Sequence, residues 1–142
     1  MNGNKDVTFL LVEDDAVDVL AVERSFKDLK IRNELVVARD GKETLEILRG
    51  THESKKVAPS FMSFLDLNLP RMRGIEFLEE VRNDPQLHSS LVFVLTTSND
   101  ERDRREAYKH NIAGYVVKAA EASSLSEEIS MVDHYWRVVE FP

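Results

Sequence analysis

Phe61-Met62-Ser63-Phe64-Leu65-Asp66-Leu67-Asn68-Leu69-Pro70 is an apolar run that closes on an acid. Five residues are too few for a helix, and a mostly apolar stretch of that length suits a strand covered on both faces. Asp66 would then lie at the strand's carboxyl end. Val7-Thr8-Phe9-Leu10-Leu11-Val12 repeats the pattern and stops at Glu13-Asp14-Asp15. If these two strands are neighbours, several carboxylates converge on one small pocket. Such a group repels itself unless a cation occupies it.

Outward from these two runs, strands and helices alternate. A helix is expected from Asp18 to Leu29, with Val19, Leu20, Val22, Phe26 and Leu29 on its apolar face. A short strand follows at Glu34–Val37. Asp40-Gly41 opens a second helix carrying Leu45, Ile47 and Leu48, and Gly50 stops it. After the strand Phe61–Leu65 comes a helix from Gly74 to Arg82, with Ile75, Leu78 and Val81 on one face, ended by Asn83-Asp84-Pro85. Leu91–Leu95 is apolar at every position. Ser98 with Glu101 has capping-box spacing ahead of a mostly charged helix, Asp100 to His110. Gly114–Val117 is the fifth strand. Ser124 with Glu127 repeats the capping spacing, and Leu125, Ile129, Val132 and Trp136 form a helical stripe. Thr51–Pro59 is polar and reads as a long surface loop. Five βα units imply an α/β fold, with a five-stranded parallel sheet doubly wound by right-handed crossovers.

The chain has 142 residues, enough for one domain. Its net charge of −7 argues against nucleic acid or an anionic membrane as partners. It lacks cysteine, which excludes disulfides and thiolate metal sites and fits a reducing compartment. No apolar run approaches the roughly 20 residues that span a bilayer. A cytoplasmic protein is expected.

In open parallel sheets, functional groups gather at the carboxyl ends of the strands. Those ends supply Glu13-Asp14-Asp15, Asp66, Thr96-Thr97-Ser98 and Lys118. Asp14 and Asp66 are hard oxygen ligands suited to magnesium, with the Asn68 backbone carbonyl as a third oxygen. The Asp66 carboxylate can attack phosphorus and form an acyl phosphate. Thr96 and Lys118 can each donate to the phosphoryl oxygens. Any one of these residues alone is ordinary. Together they supply complementary parts of one phosphoryl transfer.

On these motifs the chain resembles the receiver domain of two-component response regulators along nearly its whole length. Glu13-Asp14-Asp15 looks like the family's acidic cluster, and Asp66-Leu67-Asn68-Leu69-Pro70-Arg71-Met72-Arg73-Gly74 like its phosphoacceptor strand and loop. Thr96 and Lys118 follow at spacings typical of its hydroxyl and lysine. The resemblance implies a flavodoxin-like fold with strand order 2-1-3-4-5, phosphorylation of Asp66 by a sensor histidine kinase, and Mg2+ or Mn2+ as cofactor. It also implies Glu13 reaching the metal through water, and Thr96 and Tyr115 as switch residues. It implies no turnover of an external metabolite. The insertion 51–59, the Asp66–Arg71 motif and the ending Tyr135–Pro142 are similar to single-domain regulators paired with phytochromes. That likeness implies a homodimer through the last strand, last helix and tail, and the apolar ending itself offers Tyr135, Val138, Val139 and Phe141 as its contacts. A single domain over 1–142 is expected, with a short tail from about 137 and no output domain. One position departs from the pattern: Ala119 follows Lys118 where the family has proline. A cis bond there would cost about 3–4 kcal/mol, so a trans loop carrying Lys118 differently is expected.

Two other classes remain open at this point. An aspartyl-phosphate phosphohydrolase would carry an acid two residues beyond its nucleophile, where this chain has Asn68, which cannot transfer the proton. A pseudo-receiver would bind partners without phosphorylation. His52, His88, His110 and His134 share no motif and read as surface residues, with His110 near a helix C-terminus.

Overall fold

The computed structural model describes residues 7–57, 60–118 and 125–141. Among the described residues, ten elements alternate: β1 (Thr8–Val12), α1 (Ala16–Asp28), β2 (Leu35–Ala38), α2 (Gly41–Arg49), β3 (Phe61–Leu65), α3 (Gly74–Asn83), β4 (Leu91–Thr96), α4 (Glu101–Lys109), β5 (Gly114–Val117) and α5 (Ser126–Val138). The five strands form one sheet in the order β2-β1-β3-β4-β5, and each described pairing is parallel. This is the flavodoxin-like order that the resemblance to receivers implies.

Alternation along the strands sorts side chains between two cores. On β1, Leu10 and Val12 join Leu45 of α2, Phe77 of α3 and Ala107 of α4. Phe9 and Leu11 face the other way, toward Val22 and Phe26 of α1 and Ile129 and Val132 of α5. Phe9 centres the second layer, stacked on Phe64 at 5.6 Å and met edge-on by Phe26 and Trp136. Such rings contribute by the apolar area they bury, roughly 1.5–3 kcal/mol for a fully buried large side chain. The stripe expected on α5 is the one buried: Leu125, Ile129, Val132 and Trp136.

Three local expectations are corrected. The first helix begins at Ala16, not Asp18, because Asp15 caps it by accepting from the Val17 and Asp18 amides. Its buried face uses Ala21 and Ser25, whereas Leu20 is exposed. The seryl hydroxyl survives burial because it donates to the Ala21 carbonyl and accepts the Leu125 amide. The fourth helix is capped by Asp100, whose carboxylate accepts the Arg102 amide, not by Ser98. Ser124 lies outside the described residues. Gly50 ends α2 as expected, in the left-handed conformation that suits glycine (φ 76°).

Residues 51–57 carry no helix or strand, and Lys55 Nζ donates to the Val37 carbonyl of edge strand β2 at 2.6 Å. His52 is half-buried here, not a free surface residue. Its Nδ1 accepts the Ser54 and Lys55 amides, and its Nε2 lies 3.1 Å from Glu43. His110 likewise departs from expectation, since its Nε2 is buried without a hydrogen-bond partner among the described residues.

At the amino end of the sheet, one guanidinium holds several turns. Arg82 of α3 donates to the carbonyls of His88, Ser90, His110 and Asn111. Arg82→Ala strands these acceptors and should destabilise the fold by about 2–3 kcal/mol. Arg82→Lys should recover only part of that, because an ammonium lacks the planar fork. Urea denaturation of the three proteins measures both values.

Candidate phosphoacceptor site

The sheet brings the acids together by register. Val12 pairs with Leu65, so the residues after β1 and β3 leave the sheet side by side. The Asp66 amide donates to the Val12 carbonyl at 3.1 Å, and the Glu13 amide to the Ala38 carbonyl at 2.9 Å. Asp66 is 7% exposed and Glu13 3%. β4 delivers Thr96, fully buried, whose hydroxyl donates to Asp66 Oδ1 at 2.9 Å. The same oxygen accepts the Asn68 amide at 3.0 Å. β5 delivers Lys118, whose own amide is fixed on the Thr96 carbonyl at 2.7 Å. Tyr115, half-buried, donates its hydroxyl to the Ser98 carbonyl at 2.9 Å.

Lys118 is the cation that holds these acids. Its Nζ lies 2.8 Å from Glu13 Oε1, 3.0 Å from Asp18 Oδ2 and 3.7 Å from Asp66 Oδ2. Oxygens of Glu13, Asp18 and Asp66 all lie within 4.8 Å of one another. Asp14 is not brought into that group; its side chain is exposed. Asp18 was not singled out in the sequence. The signal was available, because it is the third residue of a helix capped by Asp15, and that first turn faces the strand ends. The Lys118-Ala119 peptide lies outside the described residues.

Burial pushes the Glu13 carboxyl up to about 7, and the neighbouring Asp66 charge adds to this against the pull of Lys118. Burial opposes the Lys118 ammonium, but its bonds to Glu13 and Asp18 and the nearby Asp66 outweigh that, and its pKa is raised. The pocket is thus a set of hard oxygen donors that recruits positive charge. That donor chemistry fits a magnesium or manganese ion.

Fold and site together define a doubly wound α/β protein built around an acid, a hydroxyl and a lysine at adjacent strand ends. Residues 9–130 match the response regulator receiver domain family. Methanothrix harundinacea FilR2, described as a probable methanogenesis regulatory protein, is 33% identical over 89% of this chain and 81% of its own. The response regulator Rcp1 of Synechocystis is 32% identical over 94% and 91%. The Mn2+-bound structure of Rcp1 superposes with a TM-score of 0.83, covering 97% of this chain and 99% of that one. The phosphorylated cyanobacterial phytochrome response regulator RcpA is 29% identical, with a TM-score of 0.84 over 98% and 99%. The chain belongs to the response regulator receiver domain family. Its members act by being phosphorylated and dephosphorylated, not by turning over a metabolite, which sets the phosphohydrolase reading aside.

Glu13 supplies a test of the electrostatics. Its folded pKa is raised from 4.5 to about 7, so between those values the folded protein binds more protons than the unfolded chain. That contribution is complete below the unfolded value and is lost as pH rises through the folded one. Glu13→Gln removes the titration. In metal-free buffer, the stability of the wild type relative to this variant should fall as pH rises from about 4.5 to about 7. Urea denaturation across that range measures the difference.

Proposed function

We propose that Asp66 accepts a phosphoryl group from a phosphohistidine of a sensor histidine kinase. One observation carries this reading: a carboxylate at the end of a central strand already holds the Thr96 hydroxyl at 2.9 Å and the Lys118 ammonium at 3.7 Å. An Asp66 oxygen attacks phosphorus, the phosphorus–nitrogen bond breaks, and the imidazole, protonated on its other ring nitrogen, takes the bonding pair and leaves neutral. Thr96 and Lys118 then donate to oxygens of the acyl phosphate, and hydrolysis returns the carboxylate. Thr96 and Tyr115 are the switch residues in this reading. A hydroxyl drawn toward the phosphoryl group would vacate space, and the Tyr115 ring packs against the core beside α4. Similarity to the phytochrome response regulator RcpA and to the bacteriophytochrome response regulator RtBRR supports a phytochrome-type kinase as donor.

Magnesium, when bound, neutralises charge on the acids and on the phosphoryl group. We assign it to Asp66, Asp14 and the Asn68 carbonyl, with Glu13 acting through water. Lys118 already pairs with Glu13 and Asp18, whereas exposed Asp14 has no ion pair among the described residues. Magnesium should raise the melting temperature of the wild type. Asp14→Asn should lose most of that rise, and Asp18→Asn should keep it. The reverse result would put the ion among Glu13, Asp18 and Asp66.

Treatment with acetyl phosphate and magnesium should add one phosphoryl group to the intact mass, and Asp66→Ala should abolish the gain. A modification that persists in the variant overturns the assignment. An unmodified wild type favours a pseudo-receiver.

A homodimer through α5 and the tail is part of the proposal. Tyr135 and Phe141 spend part of their surface within the chain, Tyr135 edge-on to Phe93 at 5.0 Å and Phe141 packed on the second core. Val139 is half-buried. Val138, 75% exposed, and Met131, 48% exposed, are left for a second copy. In a twofold contact the same patch meets itself. Val138→Asp should keep the melting temperature and shift the protein to monomer in sedimentation at micromolar concentration. A wild type that is already monomeric excludes the dimer.

A further inference from the structure

Asp40 is more buried than its local role requires. It caps α2, its Oδ1 accepting the Glu43 amide at 2.8 Å. Asp15 and Asp100 cap α1 and α4 in the same manner while remaining exposed. Capping therefore does not account for a carboxylate at 1% exposure. Its second oxygen accepts from Arg71, by Nε at 2.7 Å and also by Nη2. Arg71 lies at the tip of the loop that follows Asp66.

That loop is closed tightly at its base. The Gly74 amide donates to the Leu67 carbonyl at 3.1 Å, and a Cβ on Gly74 would come within 2.7 Å of the Asp66 carbonyl oxygen. Leu67 and Leu69 point into the core. At the tip, the Met72 amide closes a three-residue turn on the Pro70 carbonyl at 2.6 Å, and Arg71 itself has φ 61°. That conformation is uncommon for a non-glycine residue, although Lys30 and Asn111 also adopt it. Here the restraint is the forked bond to Asp40. Asn68 lies between base and tip, exposed, its amide on Asp66 Oδ1.

We propose that Arg71 and Asp40 are positioning residues. Their ion pair locks the loop so that the Asn68 backbone keeps its place beside Asp66, with the amide on the carboxylate and the carbonyl available to the metal. This rests on the reading of Asp66 as the metal and phosphoryl site. Neither residue touches the reacting atoms.

Charge and positioning predict opposite signs for one variant. Arg71→Gln removes a positive charge near the acids, and by Coulomb's law alone magnesium should bind more tightly. If the ion pair positions Asn68, magnesium binds more weakly, on the order of ten-fold as for outer-shell partners elsewhere. Glutamine keeps a Cβ, so the backbone demand at this position is unchanged. Asp40→Asn retains a good capping residue and should weaken binding in the same direction. Arg71→Lys should recover part of the affinity. Calorimetric titration with magnesium chloride reads these values. Amide hydrogen exchange in the metal-free protein gives an independent readout, since the Asn68 amide should exchange faster in Arg71→Gln. Equal or tighter magnesium binding in Arg71→Gln, or unchanged exchange at Asn68, overturns the proposal. Asp66→Ala is the control: if it binds magnesium like the wild type, the ion lies elsewhere, and the reading of Asp66 falls together with this inference.

Discussion

The ammonium of Lys118 is the constraint on which the carboxyl end of the sheet depends. It comes from β5, an edge strand, and reaches acids that follow β1 and open α1, passing the ends of β4 and β3. A lysine this buried is costly unless its charge is matched. The acids around it are equally costly without a cation. Each therefore justifies the other, and the contact works only if all the intervening strands are in register. Thr96 links the two sides, since its carbonyl takes the Lys118 amide and its hydroxyl donates to Asp66.

Such a site sets stability against function. Three carboxylates within reach of one ammonium leave negative charge uncompensated, and that excess attracts a metal ion and then a phosphoryl group carried with it. The opposite end of the sheet is built differently. There, Arg82 satisfies four carbonyls with one guanidinium. The two apolar layers are common to both ends, and the first reaches Val12 and Leu65, directly before the acids.

Much of this was legible in the sequence, for physical reasons. The strands were found because residues covered on both faces must be apolar at nearly every position. β4 is the clearest case. Alternation of β and α made the sheet parallel, and its order followed from the resemblance to receivers. Asp66, Thr96 and Lys118 were recognisable as strand ends, and they do meet. What stayed hidden depends on direction, not on position. Glu13 turns inward and Asp14 outward, although both follow the same strand. Asp18 enters through the first turn of a helix whose start was placed two residues late. Ala21 and Ser25 took the buried face where Leu20 had been expected, because the broad apolar stripe of α1 fits more than one rotation. Ser25 was acceptable there only because partners 4 and 100 residues away complete its hydroxyl. The role of His52 likewise rests on amides whose orientation a sequence does not contain.

Trp136 has a consequence of another kind. It is the only tryptophan in the chain, and it lies 2% exposed against Phe9 in the layer formed by α1 and α5. Glu13 lies four residue steps beyond Phe9 along extended β1, about 13 Å. The tryptophan fluorescence of this protein therefore comes from one buried chromophore, its indole N–H on Asp133 and its ring against Phe9, away from the acid pocket. Emission that responds to events at Asp66 would not be direct quenching. It would report movement carried along the sheet or through α1, whose Asp18 lines the pocket, into the layer around Trp136, a built-in optical gauge of long-range rearrangement.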